Sequence, residues 1–173
     1  LQRAAGGAGS ATPVFGLPAE GMTMPDEALR ILPLETGHRA DWERLYAGYA
    51  AFYRVEQTAE MRGTVWGWLM DPDHDVKGFI ALLDGRPVGV AHYRPYWRPL
   101  YAGLGGFLDD LFVDPAARGH RLADALIGAV AEEGRRRGWS LIRWITADNN
   151  YRGRAVYDRV AALTPWRTYD IKL

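Results

Sequence analysis

A mixed α/β fold is predicted for this 173-residue chain by three observations. The apolar runs Gly78–Leu83 and Val88–Tyr93 are joined by Asp84-Gly85, and an Asp-Gly step between such runs is a strong hairpin signal. The stretch FLDDLFVDPAARGHRLADALI, Phe107 to Ile127, reads as an apolar strand that stops at Asp114-Pro115 and passes through Arg118-Gly119 into an amphipathic helix. Upstream, aromatic and aliphatic residues recur at three- and four-residue spacing, the period of a helix with one buried face.

The first two dozen residues are rich in Ala, Gly, Pro and Ser and lack the basic-then-apolar pattern of a signal peptide. Residues 1–24 are expected to be a flexible extension, upstream of a natural start at Met22 or Met24, and residues 25–173 a single domain. Ala28 to Leu34 alternates as a first strand. Thr36 offers an N-cap before a helix over Arg39–Tyr53, on which Trp42, Leu45, Tyr46, Tyr49 and Phe52 share a face. A second helix is predicted over Ala59–Met70, with Trp66 and Trp68 near its end and Asp71-Pro72-Asp73 as its stop.

After the hairpin, Arg94 to Gly106 reads as a loop rich in aromatics and glycine. The strand Phe107–Val113 follows, then a long helix to about Arg137 with Leu122, Leu126, Ala129 and Val130 on one side, ended by Gly138. Leu141–Thr146 is predicted as a strand, Tyr151–Ala162 as a short helix behind Asp148-Asn149-Asn150, and Trp166–Leu173 as a closing strand or hairpin arm.

Composition narrows the function. Acidic and basic side chains balance at 21 each, which argues against nucleic acid or an anionic membrane as the main partner. The Arg135-Arg136-Arg137 run sits where a helix C-terminus welcomes cations. With no cysteine, disulfides, zinc thiolate sites and a cysteine nucleophile are excluded, and a cytoplasmic location is expected. No apolar run is long enough to span a bilayer. The four histidines, His38, His74, His92 and His120, show no metal-ligand spacing, so no metal site is expected. No G-x-S-x-G nucleophile elbow is present.

The chemistry concentrates at the strand-to-helix passage. The first N–H groups of a helix lack intrahelical partners and carry partial positive charge, so a helix start beside a strand end attracts anions. A phosphorylated cofactor is the expected ligand. The pattern Val113, Pro115, Arg118, Gly119, Leu122, Ala123, Leu126, Ile127 closely resembles the acetyl-coenzyme A loop of the GNAT superfamily of N-acetyltransferases, usually written Q/R-x-x-G-x-G/A. Arg118 fits the first position and Ala123 the last. Arg121 stands where the middle glycine is expected, and there it either narrows the cradle or adds a cation to it. The predicted element order also resembles that of the GNAT fold, a central, mostly antiparallel sheet flanked by helices.

That resemblance implies roles for particular residues. The strand Leu111, Phe112, Val113 would pair with the pantetheine arm of acetyl-CoA, and Arg118, Gly119, His120, Arg121, Leu122 and Ala123 would cradle its pyrophosphate. Asn150 and Tyr157 are similar to the family's N-x(6)-Y element, with Asn150 holding the pantetheine and Tyr157 as general acid toward the departing sulfur. Arg152 and Arg154 would meet phosphate at the rim. FLDDLFV resembles the L-E-D-x-F-V strand of diamine and thialysine acetyltransferases, which makes Asp109 the base and Asp110 a binder of the amine. Side chains alternate along a strand, so only one of the two acids is expected to line a given cleft. Trp66, Trp68, Tyr93, Tyr96 and Trp97 belong to segments that flank the acceptor cleft in the family, Trp97 being the candidate contact.

The expected activity is transfer of an acetyl group from acetyl-CoA to a primary amine of a small molecule, amino acid or diamine-like. Arg94 and Arg98 tilt the choice toward an amine that also carries an anionic group. A homodimer through the C-terminal strand is expected from the same resemblance. The alternative is a non-catalytic acyl-CoA-binding regulatory module, favoured by Arg121 in place of glycine and Asp109 in place of glutamate.

Overall fold

The computed structural model describes residues 29–173. The expected extension, residues 1–24, lies outside the described residues. Five strands form one sheet in chain order: β1 (Leu29–Pro33), β2 (Lys77–Leu83), β3 (Arg86–Arg98), β4 (Gly103–Val113) and β5 (Ile142–Arg143). β1 to β4 pair antiparallel one after another, while β5 runs parallel to β4. Among the described residues four helices flank the sheet: α1 (Arg39–Tyr53), α2 (Ala59–Met70), α3 (Leu122–Arg136) and α4 (Tyr151–Val160). The mixed α/β architecture is the one expected.

Each face of the sheet has its own core. Trp42, Leu45 and Tyr46 of α1 and Trp66 and Leu69 of α2 bury Ile80 and Val90, with Phe112 against them. On the other face, Leu122, Leu126, Ile127 and Val130 of α3 cover Ala81, Ala91, Tyr93 and Leu108, with Leu111, Val156 and Tyr157 packed alongside. Burying apolar surface on both faces is the main force that holds such layers together. Local signals behave as expected: Asp84 and Gly85 both have positive φ, as the hairpin turn requires, and Thr58 Oγ1 caps α2 by accepting from Met61 N at 3.1 Å. Gly138, at φ +72°, follows the last turn of α3.

Three expectations are corrected. Arg94 to Gly106 is mostly strand, because β3 and β4 continue pairing from Arg94–Phe107 out to Arg98–Gly103. Its glycines serve close packing: a Cβ on Gly105 would lie 2.8 Å from the Tyr96 ring, and one on Gly106 would meet Trp139 and Ile142. Leu141–Thr146 contributes only Ile142–Arg143 to the sheet, because the chain then turns away from β4 and Trp144 packs edge-on against Tyr157, 5.5 Å between ring centres. Trp166–Leu173 forms no strand, and Leu163, Trp166, Tyr169, Ile171 and Leu173 are exposed. Among the described residues these apolar side chains cover no face.

Candidate active site

Where β5 leaves the sheet, β4 is left with an open edge. The two strands pair only at Gly106–Ile142 and Phe107–Arg143, so Leu108 to Val113 have no strand on that side among the described residues. A cavity of about 1020 Å³ fills the gap. Its walls are Leu111–Val113 of β4, the turn through Ala117–Gly119, the first turn of α3, the start of α4, and Tyr49, Phe52, Tyr53 and Arg54 from the end of α1. An unpaired strand edge offers alternating N–H and C=O groups, which suits a ligand rich in amides.

At the cavity's second wall, Asp114 accepts from Ala116 N at 2.9 Å and starts a short turn, Pro115–Ala117. Gly119 follows at φ +96° and Arg121 at φ 54°. Arg121 therefore takes the left-handed conformation that glycine adopts freely, at a strain of about 1–2 kcal/mol. Its side chain reaches Asp124 at 3.2 Å and is 77 % exposed, so it stands at the rim. The backbone turn is preserved, and with it the N–H groups at the start of α3. Asp124 also accepts two hydrogen bonds from Arg159 Nη2, at 2.9 and 3.0 Å, which tie α3 to α4.

Asn150 caps α4: its Oδ1 accepts from Gly153 N at 3.1 Å, and its Nδ2 donates to Thr146 at 3.0 Å. Gly153 makes room, since a Cβ there would sit 2.5 Å from Asn150 Nδ2. Tyr157, two turns on, lines the cavity. Burial, then the nearby Tyr53, raises its hydroxyl above the ordinary value of 10.0, so Tyr157 carries its proton at neutral pH. It can donate.

The two aspartates share a face. His92 pairs with Asp110 and Tyr93 with Leu108, so Asp109 is an extra residue in β4. Such a bulge interrupts the alternation. As a result Leu108 and Leu111, three residues apart, both pack in the α3 core, while Asp109 and Asp110 both face away from it. The expected separation to opposite faces is corrected by this bulge. Asp109 Oδ1 accepts from Arg94 Nε at 3.1 Å, and its Oδ2 is buried without a hydrogen-bond partner among the described residues. Burial raises the Asp109 carboxyl, and Arg94 only partly offsets it.

Asp110 is held in the opposite sense. Burial alone would raise it, but hydrogen bonds from His92, Tyr49 and Tyr46 bring it below 3.8. Asp110 Oδ2 lies 2.9 Å from His92 Nδ1 and accepts from the Tyr46 hydroxyl at 3.2 Å. His92 Nε2 accepts from Trp42 Nε1 at 2.7 Å. Two neighbouring carboxylates pushed apart in this way are suited to different tasks, one to take a proton and one to stay charged. Tyr46 and Tyr49 are raised well above the ordinary tyrosine range, first by burial and then by Asp110.

Of the residues singled out in the sequence, Leu111, Phe112, Val113, Arg118, Gly119, Arg121, Leu122, Ala123, Asn150, Arg152 and Tyr157 meet around the cavity. His120 lies in the same loop without lining it, and neither aspartate lines it either. Arg154 turns to Asp148, bonding its backbone O at 2.9 Å and its Oδ1 at 3.0 Å. Trp97 is 78 % exposed at the far end of β3, opposite Leu104, and is not brought to the cavity. Trp66 packs on Trp42, Trp68 stacks on His74, and Tyr93 belongs to the α3 core.

Sequence reasoning missed Arg54, Asp124 and Arg159 in the cavity wall and the Trp42–His92–Asp110 chain beside it. A helix stripe of Trp42, Tyr46, Tyr49 and Tyr53 was readable as core. Its polar tips were the available signal, since buried Trp N–H and Tyr O–H groups usually find partners.

The open β4 edge, the anion-attracting helix start and arginines 118, 121, 152 and 159 fit an elongated, amide-rich, phosphorylated ligand such as acetyl-CoA. Fold and cavity together define an acyl-CoA-dependent N-acetyltransferase, with acetyl-CoA as its co-substrate. The chain belongs to the Acetyltransferase (GNAT) family, whose sequence pattern matches residues 42–162.

Among characterised proteins, it is 24% identical over 143 residues to the D-amino-acid N-acetyltransferase HPA3 of Saccharomyces cerevisiae, covering 82% of this chain and 89% of the relative. A ribosomal-protein-alanine N-acetyltransferase from Brucella melitensis biovar Abortus 2308 superposes with a TM-score of 0.69 at 25% identity, over 84% of this chain and 100% of that one. The aminoglycoside N-acetyltransferase AAC(6')-Iy, solved with CoA, gives 0.75 at 20% identity, over 87% and 98%, a likeness of fold. Among the described residues no helix is long and apolar enough to cross a membrane, and no cluster of side chains suits a metal ion.

Proposed function

We propose that the protein acetylates the primary amine of a small molecule by direct transfer, and that an amino acid is the favoured acceptor. The observation that carries this reading is the pair of carboxylates on one sheet face, one raised and one lowered, beside a cavity with an open strand edge. Asp110 is the fixed anion that receives the ammonium group. Asp109 takes its proton through a bridging water, since neither carboxylate lines the cavity. The freed amine nitrogen then attacks the thioester carbonyl supplied by acetyl-CoA. Tyr157 gives its hydroxyl proton to the departing sulfur and is reprotonated, through solvent, by the proton that the newly acylated nitrogen sheds.

The chain's other groups bind and orient. Leu111, Phe112 and Val113 present backbone groups to the pantetheine arm, with Asn150 stabilising the nearby start of α4. Arg118 to Ala123 present N–H groups to the pyrophosphate, with Arg152 and Arg159 as nearby cations. Arg54 lines the cavity and its side chain has no partner among the described residues. It would serve a carboxylate on the acceptor, which favours an amino acid over the diamine and thialysine substrates of the resembling branch. The yeast relative is, by its name, an enzyme of D-amino acids. The exposed apolar residues of 163–173 favour a homodimer formed through this segment, and the lack of cysteine favours a cytoplasmic setting.

Calorimetric titration with acetyl-CoA beside acetyl-pantetheine, followed by release of CoA with D-phenylalanine, L-phenylalanine and putrescine, tests the reading. Micromolar binding that needs the nucleotide half, and turnover with either amino acid above that with putrescine, is the expected result. Turnover with putrescine alone would overturn the amino-acid assignment.

A further inference from the structure

We propose that His92, locked in one tautomer by Trp42, is the positioning residue that keeps the Asp110 carboxylate fixed and anionic as the anchor for the acceptor's ammonium group. The inference rests on the reading of Asp110 as that anchor and goes on to say what makes it one.

An indole N–H can only donate. At 2.7 Å from Trp42 Nε1, His92 Nε2 must therefore be the unprotonated, accepting nitrogen. The ring proton is then on Nδ1, where it is donated to Asp110 Oδ2 at 2.9 Å. A proton added to Nε2 would set two donors against each other in a site where Trp42 and His92 are each 1% exposed. Such an unmatched pair is costly to bury. Trp42 thus holds the ring proton on Nδ1, where it is donated to the carboxylate that faces the ligand. An imidazolium at the same place would cancel the carboxylate's charge and leave an incoming ammonium without a counter-ion.

The surroundings leave His92 this one role. Gly78 of β2 pairs with it, and a Cβ there would lie 3.2 Å from His92 Cδ2, so a larger residue would press on the ring. The Tyr46 ring stands edge-on to it at 4.8 Å. From α1 the titratable groups facing Asp110 are Tyr46 and Tyr49, from β3 His92, and from β4 Asp109, which is itself paired with Arg94 of β3. From the α2 helix, Trp66 packs on Trp42 at 5.0 Å. Two protein donors, His92 Nδ1 and the Tyr46 hydroxyl, therefore serve Asp110, and a carboxylate's two oxygens together have roughly four acceptor sites, so capacity remains for a donor from the ligand. The carboxylate side chain is 21% exposed, enough to be reached.

The test combines NMR with Trp42→Phe, His92→Phe, His92→Gln and Asp110→Asn, using n-butylammonium as the amine probe. In the wild type, nitrogen NMR is expected to show the Nδ1–H tautomer of His92. Trp42→Phe should release the ring from that single tautomer and weaken the probe. His92→Phe should move the Asp110 carboxyl midpoint upward by carbon NMR and weaken the probe about tenfold near pH 6, with acetyl-CoA affinity unchanged. His92→Gln, which keeps an N–H donor, should restore most of that loss. A Nε2–H tautomer in the wild type, or a His92→Phe protein with the wild-type Asp110 midpoint and probe affinity, would overturn the role of His92. Unchanged probe binding by Asp110→Asn would instead remove Asp110 as the anchor, a separate failure.

Discussion

Asp109 and Asp110 are consecutive in sequence, yet their side chains lie on the same face of the sheet, because Asp109 is the unpaired residue of a bulge in β4. Without the bulge strict alternation would turn one of them into the α3 core and only one of Leu108 and Leu111 would remain there. With it, a carboxylate raised by burial stands beside one lowered, against its own burial, by its hydrogen bonds from His92 and Tyr46. The catalytic division of labour proposed above depends on this irregularity.

Replacing Asp109 by Asn should separate activity from stability. Turnover is expected to fall about a hundredfold or more, the usual range for losing a general base. Thermal unfolding at neutral pH should show a melting temperature no lower than the wild type, since the charged form is disfavoured at this buried site. Retained turnover would move the base elsewhere.

Tyr157→Phe tests the acid. Turnover should fall by about a hundredfold, while calorimetry with acetyl-CoA gives nearly the wild-type affinity. The Phe ring keeps the edge-on packing against Trp144, so a large drop in stability is not expected. Unchanged turnover would take Tyr157 out of the mechanism.

Arg121 separates the needs of the backbone from those of the side chain. Arg121→Gly keeps the left-handed turn at no steric cost and should retain both fold and acetyl-CoA binding. Arg121→Val puts a β-branched residue at φ 54° and should lose roughly 1–3 kcal/mol of stability together with cofactor affinity. Melting curves with and without acetyl-CoA distinguish them. Equal behaviour of the two variants would mean that the backbone turn is not what builds the cradle.

Acid unfolding should report Asp110. Its folded-state pKa lies below the ordinary 3.8, so between the two values the unfolded chain binds more protons. The stability it contributes is present above 3.8 and is lost as pH falls through the folded value. Asp109 has the opposite sign: its contribution is full below 3.8 and is lost as pH rises through its raised folded value. Asp110→Asn should therefore be less stable than the wild type at neutral pH and lose less on acidification, as measured by urea unfolding across the acid range.

Much of the fold was legible because its signals are local. The helix periods of α1, α2 and α3, the Asp84-Gly85 turn, the Gly138 stop and the Asn150 cap depend on residues within a few positions of one another. The candidate cofactor wall was legible for the same reason, since Leu111 to Ala123 is one continuous stretch. Local reading failed where composition misled. Gly103, Gly105 and Gly106 resemble loop residues, yet two of them make space for the rings of Tyr96 and Trp139, which come from elsewhere in the chain.

The sequence by itself determined the element order from β1 to α4, the two apolar faces and the passage from β4 into α3, because hydrophobic period, turn chemistry and helix-end electrostatics act over short distances. Only the tertiary structure decided how far β5 follows β4, which face the two acids share, and which nitrogen of His92 carries the proton. Those outcomes come from strand register and from side chains 18 to 50 residues apart meeting in a buried site, where every polar group needs a partner.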